Sequence, residues 1–393
     1  MKLLIALFFL FSCSYNAYAC SVYKITLHGK TFVGNNEDYW NPNTRMWFER
    51  GQNGNYGGMY VGLDNFYPQG GMNEKGLVFD GFSVTSRAMK SNPNKLSPQN
   101  NILQYIMQKC QNIDDVYKIV EKYDLSNMLI SSMWIFIDAE GNYLVVEGDT
   151  VTKGNDSTYV LSNFCPSQTP DLDKVDIPSY QNARKLLEAK SDTTLSFLTA
   201  LSDTLHQSFP QDLGGTQYTT IYDLKEKVIH LYYHHDYSKS ITINLTDELQ
   251  KTDTVLNIPE LFPNNVSGKE NFRKINKAKD FLKELANPEF SVSYSKIKDA
   301  IKAKDLSILM RLFESEINTI GYDLLNGKDK TPAINVFTLN VEYFPTSWNA
   351  YDSLGDAYFE DKNYAVALLN YRKSLELNPN NQNAIKQIKQ LTK

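Results

Sequence analysis

From residue 20 onward, short runs rich in Val, Ile, Tyr, Phe and Thr are separated by turn pairs, and two longer segments carry apolar residues at helical spacing. The runs at 21–27, 31–34, 76–84, 134–137, 143–147, 158–161, 218–222 and 228–233 predict β-strands. His28-Gly29 and Glu140-Gly141 fall between such runs and predict antiparallel hairpins. The segments 101–122 and 179–206 predict helices. Strands in runs interrupted by helices favour a layered α+β arrangement over βαβ alternation. Past residue 245 the pattern changes. Residues 246–267 lose periodicity, carry Pro259 and Pro263, and read as a connector; beyond them every segment is helical. The expected division is 1–19, 20–250, a linker at 251–268, and an all-α domain at 269–393.

The helical part repeats itself. Gly321, Ala333, Phe337 and Pro345 recur 34 residues later as Gly355, Ala367, Tyr371 and Pro379. With Leu354, Tyr358 and Ser374, the second set resembles the tetratricopeptide repeat: small residues let two helices approach, large ones fill the gap, and proline opens the next turn. The units fall at about 314–347 and 348–381, the first looser because Leu324 stands where the second has Tyr358. Two repeats bury little apolar surface alone, so the stretches at 269–313 and 381–391 are expected to cap them. Such a module either binds a protein partner, or packs on the rest of the chain and pairs subunits; both readings stand.

Composition changes this picture little. A chain of 393 residues, 42% hydrophobic and 22% charged, can bury a core, and a net charge of −5 gives no reason to expect nucleic acid as partner. The N-terminus is more informative. Lys2, the apolar run at 3–11 and Ala17-Tyr18-Ala19 have the form of a cleaved export signal, which predicts a periplasmic or secreted protein beginning at Cys20. The run is too short to span a bilayer. A second reading makes Cys13 a lipidated mature terminus, because Leu10-Phe11-Ser12-Cys13 resembles a loose lipobox. After cleavage at Ala19 three cysteines remain, and Cys110 and Cys165 are either disulfide-bonded or two buried thiols.

A cysteine at a mature N-terminus carries its own base, since its α-amine has a reference pKa of about 7.7–8.0. Behind Cys20 come Gly34-Asn35-Asn36-Glu37-Asp38, then Gly71-Met72-Asn73-Glu74-Lys75-Gly76-Leu77, and further segments at 102–116, 134–147, 159–163 and 216–233. In that order they resemble the choloylglycine hydrolase and penicillin V acylase family, whose second strand ends in Gly-Arg-Asn-x-Asp. The resemblance covers about residues 20–245. It implies a four-layer αββα N-terminal-nucleophile sandwich, followed here by the tetratricopeptide-like domain.

It also implies roles. Cys20 supplies thiolate and amine, Asp38 holds them, and Asn163 donates to the oxyanion together with a backbone N–H near Ser83. Arg184 matches a late family arginine near the nucleophile. Asn35 departs from the pattern, which has arginine there; Arg45 or Arg50 are the nearby arginines in sequence that would have to compensate. His230, His234 and His235 read as exposed strand histidines, so neither metal nor cofactor is expected. The resemblance implies a small-molecule linear amide as substrate, of bile-salt, penicillin-V or other N-acyl type, cleaved through an acyl-cysteine. The aromatic stretch 56–67 suits an acyl pocket or the core equally. Two other classes remain: an acyltransferase using the same nucleophile, and a catalytically weak protein that binds through its repeats.

Overall fold

The computed structural model describes residues 20–98, 101–189, 192–208 and 214–392; the segment expected to be an export signal, with Cys13 and Ala17-Tyr18-Ala19, lies outside the described residues. The chain divides into two compact units between Phe272 and Arg273.

The first unit opens with β1 (Ser21–Leu27), β2 (Lys30–Tyr39), β3 (Thr44–Glu49), β4 (Gly58–Leu63), β5 (Pro68–Asn73) and β6 (Val78–Ser83). Helices α1 (Ile102–Lys109) and α2 (Ile113–Lys122) lead to β7 (Ser132–Ile137), β8 (Tyr143–Glu147), β9 (Thr150–Gly154) and β10 (Thr158–Ser162). After α3 (Pro178–Ala189) and α4 (Leu195–Leu205) come β11 (Gly215–Asp223), β12 (Val228–Tyr233) and β13 (Asp236–Asn244). A short α5 (Leu245–Glu248), β14 (Thr254–Asn257) and α6 (Ile258–Leu261) complete it.

The strands form two antiparallel sheets, ordered β10-β1-β2-β11-β12-β13 and β14-β3-β4-β5-β6-β7-β8-β9. Their facing sides share one core, to which Val22, Val33, Met46, Val61, Ile135 and Leu231 belong. On the outer face of the second sheet, Ile106 and Val116 from α1 and α2 pack against Phe79 and Phe136. On the outer face of the first, Leu198 and Leu201 of α4 pack against Tyr23 and Ile221. The layers are therefore α, β, β, α, as expected.

Three expectations need correction. Each predicted helix is two. Asn112 accepts from Asp115 N–H at 3.0 Å, and this cap starts α2 anew after Cys110. Thr194 likewise caps α4 through Phe197 N–H at 3.4 Å. The strand expected at 31–34 runs on to Tyr39, because β1 and β11 pair with it on both sides. The segment read as a linker is part of the sandwich: Thr254 pairs with Phe48 and Asn257 with Arg45, while Ile258 and Phe262 enter the inter-sheet core.

Within the second unit, α10 (Glu314–Leu325) pairs with α11 (Thr331–Tyr343) and α12 (Trp348–Glu360) with α13 (Tyr364–Leu377), α14 (Gln382–Leu391) following. The intervening α7 (Val266–Leu285), which crosses the division, α8 (Pro288–Ser291) and α9 (Tyr294–Ala303) precede them. A Cβ on Gly321 would strike the Phe337 ring, and one on Gly355 the Tyr371 ring, so the 34-residue period is a repeated close approach.

Candidate active site

Cys20 stands just before β1, and only 8% of it is exposed. The next residue, Ser21, pairs with Asn36 on β2 and Ser162 on β10, and Ser162 Oγ donates to the Cys20 carbonyl at 2.9 Å. Asp38 N–H donates to Cys20 Sγ at 3.4 Å. The Asp38 carboxylate in turn accepts from Thr216 Oγ1 on β11. β2 thus carries Asp38 to the thiol although the run Asn35-Asn36-Glu37-Asp38 has no strand-like composition. Its polar groups are met where they fall: Asn36 donates to Ser202 O at 2.9 Å and accepts from Thr219 Oγ1 at 2.7 Å.

A cavity of about 570 Å³ opens over the thiol, its wall including Cys20, Glu37, Asp38, Leu63, Ser83 and Asn163. Asn163 follows β10 directly, and its Nδ2 donates to the Ser83 carbonyl at 2.6 Å. A primary amide has two N–H groups, so this bond aims the side chain and leaves one donor. Near Ser83, where a backbone donor is expected, the Ser83 carbonyl accepts from Asn163 and the Val84 N–H is committed to Ser131 O at 2.9 Å. A second cavity of about 550 Å³, around Asp124 and Asp149, has neither cysteine nor histidine on its wall.

The thiol's surroundings are acidic. Burial pushes Cys20 well above the usual thiol range, Glu37, Asp38 and Asp80 push it further, and the Asp38 N–H acts the other way. Burial also raises Asp38 and Asp80, and brings Glu37 up to about 7 against the opposing effect of the Tyr218 hydroxyl. A carboxylate deprived of water and of a cation holds its proton more tightly. Asn35, at the position of the pattern's arginine, donates to Asp80 and accepts from Thr220 Oγ1 at 3.4 Å. Neither Arg45 nor Arg50 compensates: Arg45 bonds to Asn257 and to Thr44 O, and Arg50 pairs with Asp253 at 3.4 Å.

Cys20, Asp38, Ser83 and Asn163 therefore meet, and Arg184 does not join them. It lies on α3, where it pairs with Asp173 at 2.8 Å and Glu188 at 3.8 Å and flanks a separate groove with Tyr180. There it is half-buried, with its guanidinium 5.7 Å from the centre of the Tyr180 ring. Within the stretch 56–67, residues 57–62 are buried, with Tyr60 stacked on Trp47 at 5.7 Å, Phe66 and Tyr67 are exposed, and Leu63 and Asn65 reach the cavity. The histidines also differ from expectation. His230 is on β12, but His234 and His235 form the turn after it with φ of 50° and 45°, and His234 is buried. No group of three metal-ligating side chains occurs among the described residues. Cys110 and Cys165 are free thiols in different cores. The Gly71–Leu77 motif is structural: Asn73 Nδ2 donates to Met107 O and Cys110 O at 2.8 Å, fixing the β5–β6 hairpin to the end of α1.

Glu37 and Asp80 are the site residues that sequence reasoning missed. Asp80 had a signal, since it interrupts the apolar run Val78-Phe79-Asp80-Gly81-Phe82. Glu37 had none beyond its place at the pattern's variable position.

No curated protein sequence matches the chain. Among solved structures it is similar to an arginine variant of conjugated bile acid hydrolase from Clostridium perfringens, at 16% identity and a TM-score of 0.48, over 60% of this chain and 96% of that one. It is also similar to penicillin V acylase from Agrobacterium tumefaciens, at 15% identity and a TM-score of 0.47, over 60% of this chain and 90% of that one. A tetratricopeptide repeat model matches residues 348–381, the second expected unit. The model of the acyl-coenzyme A:6-aminopenicillanic acid acyl-transferase family matches residues 27–237, more than half of the chain, starting seven residues after Cys20. By that match the chain belongs to the acyl-coenzyme A:6-aminopenicillanic acid acyl-transferase family.

Proposed function

We propose that the protein cleaves linear, non-peptide amide bonds through an acyl-cysteine on Cys20. The observation that carries this reading is the convergence of Cys20, Asp38 and Asn163 on one cavity. In the reaction, Cys20 Sγ attacks the amide carbon while its proton passes to the α-amine freed by removal of residue 19. The free N–H of Asn163 stabilises the oxyanion, a contribution worth about 10²–10³ in rate for one such donor. Collapse breaks the C–N bond, and the α-ammonium returns its proton to the leaving amine. Water then releases the acyl group as an acid and restores the thiol.

The family description favours a second outcome, in which an amine takes the acyl group in place of water. The same residues serve both, so products formed with and without added amine separate them. The deciding experiment is labelling by an acyl-mimic thiol probe beside amide turnover. The native protein should be labelled stoichiometrically at Cys20, and Cys20→Ala should lose both labelling and turnover while melting normally. Turnover above about one per cent in that variant would assign the nucleophile elsewhere. The export signal further suggests action outside the cytoplasm, and the repeats suggest a protein partner or self-association.

A further inference from the structure

Among the described residues the wall of the Cys20 cavity includes no Lys, Arg or His, yet carboxylates crowd the thiol. Glu37 lines the cavity, is 6% exposed, and its Oε2 has no hydrogen-bond partner among the described residues. Ser21 pairs with Asn36, which sets Glu37 across the ladder from Cys20 itself. Asp38 and Asp80 are each 1% exposed beside it, and Asp38 Oδ2 is likewise unpartnered. A buried charge without a counter-charge is strongly unfavourable, so the cluster is short of a cation.

The groups of the described residues do not supply enough. Asn35 brings a neutral amide to Asp80, and Arg45 and Arg50 are engaged with Asn257 and Asp253. An α-ammonium on Cys20 would offset one of three acids. We propose that this cavity takes amides carrying a protonated amine within a few bonds of the scissile carbonyl, with Glu37 as the recognising carboxylate and Asp80 behind it. The proposal rests on Cys20 as the reacting group. It sets the chain apart from enzymes that accept a carboxylate or sulfonate on the leaving group, because such a group would meet like charge here. Glu37, brought up to about 7 by burial, is partly protonated at neutrality, and a bound ammonium would draw it into the ionised form.

The test reads the charge of the cavity without needing turnover. The purified protein is treated at about pH 8 and low ionic strength with two methanethiosulfonate reagents of similar size, one bearing trimethylammonium and one sulfonate. Modification of Cys20 is followed by mass spectrometry of its peptide, and each rate is divided by that of a small free thiol. The cationic reagent should lead by about tenfold or more, in the range by which charged clefts alter encounter rates. Glu37→Gln should cut that ratio at least threefold, and Asp80→Asn provides a second variant should the first misfold. A ratio near one, a lead for the sulfonate, no modification by either reagent, or an unchanged ratio in both variants would each overturn the proposal.

A hydrolysis arm uses one acyl group on an ammonium-bearing, a neutral and a carboxylate-bearing amine. Preference for the ammonium, reduced in Glu37→Gln, supports the proposal, and preference for the carboxylate overturns it. Failure to cleave any of the three counts against amide hydrolysis, while the reagent ratio still decides the charge of the cavity.

Discussion

Cys20 is held by groups distant in sequence, with Asp38 N–H on its sulfur and Ser162 Oγ on its carbonyl. No histidine among the described residues shares its cavity wall, so the proposed base is the α-amine. That assignment has a sharp test. Adding one Ala before Cys20 converts the amine into an amide nitrogen that accepts no proton. The extended form, shown by mass to be uncleaved, should lose at least about 10² in amide hydrolysis, with an unchanged circular dichroism spectrum. Full activity would give the base to another group, and Glu37, titrating at about 7, is the nearest candidate. Cys20, Asp38 and Asn163 were legible because each stands in a contiguous local pattern. Arg184 was misread because helical spacing does not say which face turns to the cavity. Glu37 and Asp80 matter only through the meeting of β2 with a strand of the other sheet, which no local pattern records.

At the level of elements, runs of Val, Ile, Tyr and Phe marked eight strands, and turn residues separated them. The strands missed are those whose composition is ordinary or polar, such as β4 and β5 with their glycines, or β14 beside two prolines. Pairing partners, absent from any local window, make them strands. The far half of β2 is the clearest instance, with four consecutive polar residues inside a sheet. The misread connector offers a measurement. Ile258 is fully buried, so Ile258→Ala should cost about 2–4 kcal/mol in denaturant unfolding of the first unit. Val255, 54% exposed, serves as control, and its replacement by Ala should cost well under 1 kcal/mol. Equal small losses at both positions would return this segment to the status of a tether.

For the whole molecule, the layered α+β pattern and the 34-residue period were legible in the residues themselves, while the four-layer αββα order came only with the family resemblance. Their boundary was not, since 251–268 loses periodicity while remaining in the fold. The proposed chemistry further requires maturation. Protein recovered from its native cell should have the intact mass of a chain beginning at Cys20. The mass of a diacylated Cys13 form would leave Cys20 internal and remove the proposed base. β14 has a consequence for how such a chain could be assembled or dissected. It lies beyond residue 237, where the family match ends, yet it covers β3 at the edge of the eight-stranded sheet. A cut or fusion joint placed between these points would bare the β3 backbone, with unpaired N–H and C=O groups ready to recruit a strand from another copy. The part outside the family match thus covers a strand that would otherwise be open to pairing with another copy, and any joint that preserves this cover has to fall after the residues that hold it down.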